Sequence, residues 1–208
     1  MNSGYLGYLI MAVCLILLMT GWKDVFLRGI KGKSLLLFFV FWIAFSFADF
    51  PFATMKINGV VIVLILVTIG SFVMMDSGEM RYRAAAAGLM LGLVDYLLTQ
   101  LVDRIPISFL TTPDLDLALL YSVLISLRFR PPILQVSVLT IGLLFGDLLN
   151  GIAVLPEIRT WGGPAFWDRW WVSVSVARVL SAFVSILWAF SRLKGSRLAA
   201  AVKGRKSR

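Results

Sequence analysis

Histidine is absent from this chain, and cysteine occurs once, at Cys14, inside an apolar run. An internal disulfide is therefore impossible, and a zinc, haem or iron–sulfur site lacks its usual ligands. A Ser-His-Asp triad has no base, and the glycines lie within apolar runs instead of forming a phosphate loop. Charge is also scarce. Asp, Glu, Lys and Arg make up 15% of the residues, against 60% that are hydrophobic. That balance excludes a water-facing globular fold. The reading is of a protein that is not an enzyme and carries no cofactor and no metal.

What fills the sequence is seven apolar stretches: Gly4 to Trp22, Ser34 to Ala53, Gly59 to Met75, Ala84 to Leu101, Phe109 to Leu127, Ile133 to Leu155 and Trp170 to Phe190. Each approaches the roughly 20 residues that a helix needs to cross a hydrocarbon core. Without water to satisfy backbone groups, such runs are helices, since a barrel would need short alternating strands that do not occur here. The expected fold is all-α: a polytopic membrane helix bundle of about seven transmembrane helices over residues 1–191, followed by a basic tail, 192–208. No loop is long enough to form a further domain.

Cations set the expected orientation. With the amino terminus outside, the inner segments hold Lys23, Arg28, Lys31 and Lys33, then Arg81 and Arg83, then Arg128 and Arg130, then the seven cations of the tail. The outer segments hold only Lys56, Arg104, Arg159 and Arg169. This asymmetry follows the positive-inside rule at every loop and places the carboxyl terminus in the cytoplasm of a cell with a multi-pass plasma-membrane protein. The first stretch has no basic leader and no small-residue cleavage site, so it reads as an anchor and not as a signal peptide. The net charge of +9 comes largely from the tail, which reads as a segment drawn to anionic lipid headgroups and not to nucleic acid.

Three groups of residues stand out within this frame. Ionisable side chains inside a bilayer are costly, about 3 kcal/mol each at a helix centre, and here they are Asp49, Asp95, Asp116, Asp147 and Arg178. All five are expected in the outer half of the membrane, with Arg178 paired to Asp147 or Asp95. The surplus of acids leaves open a structural pair, a proton- or cation-linked site, or a partner interface. Gly88 with Gly92, and Gly142 with Gly146, form two GxxxG motifs that suit close helix packing, within the chain or in a homodimer. Finally, Trp161, Phe166, Trp167, Trp170 and Trp171 surround the turn Gly162-Gly163-Pro164 and are expected as an interfacial or re-entrant aromatic loop on the outer leaflet.

Several of these features occur together in one known family. A first span followed directly by a basic loop, a second ending in Phe47-Ala48-Asp49, Gly146 beside Asp147, and Gly162-Gly163 leading to Trp167-Asp168 resemble the YphA family. That family comprises small multi-span membrane proteins of spore-forming Gram-positive bacteria, with no established function and no catalytic residues to carry over. Locally, Thr112-Pro113-Asp114-Leu115 through Gly142-Leu143-Leu144-Phe145-Gly146-Asp147-Leu148-Leu149 to Gly151 is similar to the core of MreD, a membrane component of the rod-shape elongation machinery. There the stretch follows the first span, whereas here four spans precede it. The resemblances imply a structural or interaction component of the cell envelope or sporulation apparatus, with a membrane-protein partner. The alternative is a small proton- or cation-linked transporter or a substrate-binding membrane subunit.

Overall fold

The computed structural model of the protein describes residues 2–21, 32–52, 55–104, 112–153 and 160–206. Among these residues are seven helices: α1 (Tyr5–Met19), α2 (Gly32–Ser46), α3 (Gly59–Val73), α4 (Gly78–Arg104), α5 (Pro113–Arg128), α6 (Pro132–Ala153) and α7 (Pro164–Lys206). A small sheet joins them. Strand β1 (Asp49–Phe52) pairs antiparallel with β2 (Met55–Asn58), and β3 (Thr160–Trp161) runs parallel to β2.

Local chemistry explains most of the boundaries. Asn58 caps α3 by accepting a hydrogen bond from the Val60 N–H at 3.0 Å, which satisfies one of the orphan donors of the first turn. Helices α5, α6 and α7 each begin at a proline, whose fixed φ suits the first helical position and whose missing N–H is no loss there. The apolar parts of three helices, Gly78–Val102, Pro132–Ala153 and Pro164–Trp188, are long and apolar enough to cross a membrane. Tyr5–Met19, Gly32–Ser46 and Gly59–Val73 are shorter apolar helices.

Two boundaries depart from the sequence expectation. The second apolar stretch, expected as a span to Ala53, leaves the helix at Ser46, and Asp49–Phe52 form β1. Pro51 has no N–H to continue a helix but sits without penalty on an edge strand, which is where β1 lies. The fold is helical as expected, with one small three-stranded sheet added at an end. The last helix, expected from Trp170, begins at Pro164 and so absorbs most of the aromatic segment.

Contacts along each helix fix the directions of the bundle. Parallel α4 and α6 meet where Gly92 faces the Gly142 carbonyl and where Asp95 faces Gly146. Helix α7 runs antiparallel to α6, with Trp170 donating to Thr140 and Arg178 to Gln135. It runs parallel to α1 and to α5, as its contacts with Gly4 and Cys14, and with Asp114 and Ser122, advance together. Hydroxyls join neighbouring helices, Ser71 to Ser137 at 2.6 Å and Ser122 to the Ser173 carbonyl at 3.0 Å. The small sheet and the amino ends of α1, α3, α5 and α7 share one end of the molecule, the sheet end. The buried core is built from Trp42, Val60, Leu64, Tyr121, Val138, Leu139 and Leu143, with the aromatic residues of early α7.

Candidate functional site

The polar centre of the bundle lies near its sheet end and is organised by Arg169. This residue sits five positions into α7, on the same helical face as Phe166 and Ser173, and only 4% of it is exposed. Its Nη1 donates to Asp95 Oδ1 at 2.9 Å, and its Nη2 lies 3.6 Å from Asp114 Oδ1. The two acids differ in setting. Asp95 on α4 is fully buried, whereas the Asp114 side chain, in the first turn of α5, is 58% exposed. Asp147 on α6 lies within electrostatic reach of the same guanidinium. The buried Tyr121 hydroxyl lies beside the Asp95 carboxylate.

Glycine makes room for this arrangement. A Cβ on Gly146 would overlap Asp95, and one on Gly92 would come within 2.7 Å of the Gly142 carbonyl oxygen. Gly88 approaches Ile141 and Gly142 approaches Leu91 in the same way. The four GxxxG residues therefore bring α4 and α6 together within one chain and open the slot that Asp95 occupies.

Asp147 has a separate task. Its Oδ2 accepts the Gly162 N–H at 2.8 Å, holding the turn between β3 and α7. Gly162 adopts a positive φ of 73°, which other residues rarely do, and a Cβ there would strike Val61. The Gly162 carbonyl in turn accepts from Trp167 Nε1 at 2.7 Å. Next along α7, the Asp168 carboxylate accepts the Gly4 N–H at 2.7 Å and the Gly7 N–H, capping the amino end of α1 from another helix.

The remaining sequence-selected residues fall in other places. Asp49 is an exposed residue of β1 that accepts from Asn58 Nδ2 at 2.9 Å, and Asp116 is half-buried in the first turn of α5. Arg178 is not in this layer. It lies 14 residues into α7, about 21 Å along the axis, and its Nη1 donates to Gln135 Oε1 at 2.7 Å. The expected pairing of Arg178 with Asp95 is corrected: the ion-pair partner of Asp95 is Arg169. The cause is the early start of α7, which moves Arg169 out of the loop and Arg178 toward the far end.

The aromatic loop is corrected for the same reason. Phe166, Trp167, Trp170 and Trp171 are buried in the first turns of α7, and only Trp161, in β3, remains outside the helix and half-buried. Three of the indoles find partners inside the protein, Trp161 donating to the Leu144 carbonyl, Trp167 to the Gly162 carbonyl and Trp170 to Thr140, while Trp171 Nε1 is buried without one among the described residues. Trp170 and Trp171 join Phe38, Phe39 and Trp42 of α2 in a cluster with ring centroids 5.0 to 6.1 Å apart. Sequence reasoning missed Arg169, Tyr121, Asp114, Asp168 and Gln135 as polar partners. The signal was present in the helical spacing of Phe166, Arg169, Trp170, Ser173 and Ala177.

Among the described residues no group of three or more Cys, Asp or Glu side chains is placed to hold a metal ion. Chemically, the site is an ion pair buried between helices, in which Asp95 Oδ2 and Arg169 Nε are buried without a hydrogen-bond partner among the described residues and Asp114 reaches the surface. Comparison of the chain with protein-family models, with curated proteins and with solved structures finds no match in any of the three.

Proposed function

We propose that the chain is a seven-span protein of the bacterial plasma membrane, with its amino terminus outside and its carboxyl terminus cytoplasmic, serving as a structural or interaction component of the cell envelope or sporulation apparatus. The resemblance to the YphA family and the local similarity to MreD belong to the same reading. The observation that carries it is the closed state of the polar centre. Asp95, fully buried, is committed to Arg169, and neither the cavity between α1, α2, α3, α6 and α7 nor the one between α4 and α5 is lined by Asp95 or Asp147. A carrier would need such a carboxylate to meet water or cargo, whereas here the acids clamp helices and a turn.

Support for the membrane setting comes from the surface. Leu36, Leu37, Val40, Leu66, Ile69, Leu93, Leu97, Phe183 and Leu187 are exposed large apolar residues on α2, α3, α4 and α7, far more than a water-soluble monomer presents in continuous patches. The alternating helix directions suit seven crossings, and the cation asymmetry orients them. The seven tail cations from Arg192 onward would then meet anionic headgroups of the inner leaflet.

Two measurements on the full chain test this reading. Cysteine reporters at Lys31 and Lys203 should be shielded from an impermeant outside reagent while one at Thr160 reacts; labelling of Lys203 from outside sinks the topology. Thermal unfolding across a cation panel should show no saturable cation effect in wild type, Asp95→Asn or Asp147→Asn, although Asp95→Asn lowers the midpoint by removing a buried ion pair. A saturable cation effect lost in either variant would replace the scaffold by a carrier.

A further inference from the structure

The hairpin of β1 and β2 has two unlike faces. Directly opposed residues of an antiparallel pair share a face, so Phe50 lies with Ile57 and Phe52 with Met55, while Asp49, Pro51 and Lys56 point the other way. The apolar face is supported under one strand only. Ile57 packs against the core and Met55 reaches Gly151 near the end of α6, so β2 sits on the bundle with this face turned onto it. Strand β1 lies beyond β2, on the side away from β3, and its rings overhang: Phe50 is 44% exposed and Phe52 68%. Their surface continues that of α2. Leu36, Val40, Ile43 and Phe47 recur at helical spacing as one exposed apolar stripe, and Phe47, at the turn before β1, is 81% exposed.

The backbone of β1 limits the depth at which these rings can lie. The Gly59 N–H donates to the Ala48 carbonyl at 2.8 Å and continues the β1–β2 register, so the hydrogen-bonded pairs are Ala48 with Gly59, Phe50 with Ile57 and Phe52 with Met55. Asp49 and Pro51 therefore turn their backbone groups to the free edge, where no strand pairs with β1 among the described residues. Pro51 has no N–H, which makes that edge a poor template for an added strand. Its carbonyls still need water, because open sheet edges do not occur within lipid hydrocarbon. The side chains agree: Asp49 and Lys56 are exposed on the face opposite the rings.

We propose that the β1–β2 hairpin is an anchor in the outer leaflet, with Phe47, Phe50 and Phe52 in the upper hydrocarbon beside the bundle and Asp49, Lys56 and the free edge of β1 among the headgroups. An element with one apolar and one polar face settles at this boundary, its apolar side sunk about 5–10 Å. The anchor rests on the membrane reading of the chain, in which the sheet end faces outward. The hairpin then takes the interfacial place that the buried aromatics of early α7 do not fill.

The test uses the full chain carrying Cys14→Ala, in phosphatidylcholine vesicles, with a nitroxide on one introduced cysteine at a time. Molecular oxygen concentrates in hydrocarbon and a neutral nickel chelate in water, so the ratio of their collision rates with the label reports its surroundings. Labels at Phe50→Cys and Phe52→Cys should give an oxygen-to-nickel ratio several-fold above that at Lys56→Cys. Leu66→Cys and Leu97→Cys, at positions 63% exposed on α3 and α4, report on the membrane reading itself. Nickel-dominated collisions at Leu66 and Leu97 would defeat that reading and the anchor with it. Oxygen dominance there with nickel dominance at Phe50 and Phe52 would defeat the anchor alone. Rare collisions with both reagents at Phe50 and Phe52 would place protein against the hairpin, a second copy if the labels broaden one another, and would overturn the proposal as well.

Discussion

Removing the Arg169 guanidinium tests the polar centre most directly, because its two carboxylates sit in unequal surroundings. Charges about 4 Å apart attract by about 4 kcal/mol at an effective dielectric of 20, and by about 1 kcal/mol in water. Asp95 is fully buried at 2.9 Å and belongs to the first regime, whereas Asp114 is more than half exposed at 3.6 Å and belongs to the second. Stranding one partner of a buried pair costs about 3–5 kcal/mol, while an exposed pair contributes roughly 0–1 kcal/mol. Arg169→Gln and Asp95→Asn should therefore each destabilise by about 3–5 kcal/mol, and Asp114→Asn by less than about 1 kcal/mol. Within the first two, Arg169→Gln should be the worse. It leaves Asp95 with no cation, whereas Asp95→Asn leaves Arg169 with Asp114 in reach and Asp147 nearby.

The assay is reversible unfolding of the purified protein in mixed micelles of increasing SDS fraction, run as two double-mutant cycles. The Arg169–Asp95 cycle should return a coupling of a few kcal/mol, with the double variant more stable than the sum of the singles, because removing both partners strands neither. The Arg169–Asp114 cycle should return less than about 1 kcal/mol. If Asp114→Asn matched Asp95→Asn, or if the double variant at Arg169 and Asp95 were worse than the two singles combined, the assignment of Asp95 as the buried partner would be wrong.

Two further outcomes follow from the same geometry. Gly146→Ala adds a methyl where Asp95 already stands and should cost about 1–3 kcal/mol in the same unfolding assay, whereas Gly70→Ala, which meets open space, should be neutral or stabilising by up to about 1 kcal/mol. Asp168→Ala removes the acceptor that caps α1 and should cost about 1–2 kcal/mol, with faster hydrogen exchange at the Gly4 and Gly7 amides and no change at the Gly162 amide, which Asp147 holds.

Much of the helical frame was legible because hydropathy reports burial in lipid or protein alike. All seven apolar stretches contain a helix. The paired glycine spacings pointed to close contact between two helices running the same way, and α4 and α6 are the helices whose backbones meet at Gly92 and Gly142. What hydropathy could not distinguish was an apolar strand from an apolar helix. Phe50 and Phe52 raise the local average as well in β1 as they would in α2, and the change is marked only by Pro51 and by the cap at Asn58.

The start of α7 failed for a different reason, and it decided the site. A segment holding Asp168, Arg169 and four large aromatics reads as interfacial when residues are counted by type, because charges and indoles both favour the headgroup region. Type says nothing about which face of a helix each side chain occupies. Placed on a helix from Pro164, the two charges separate: Asp168 turns to the amino end of α1, and Arg169 turns to Asp95. The indoles then face inward, those of Trp161, Trp167 and Trp170 with their N–H groups satisfied by backbone and threonine oxygens and that of Trp171 packed against the rings of α2. Once α7 begins six residues earlier, Arg178 can no longer serve the acid layer. Its companion becomes Gln135, so the two buried arginines of α7 serve different contacts, one joining α7 to α4 and the other joining it to α6.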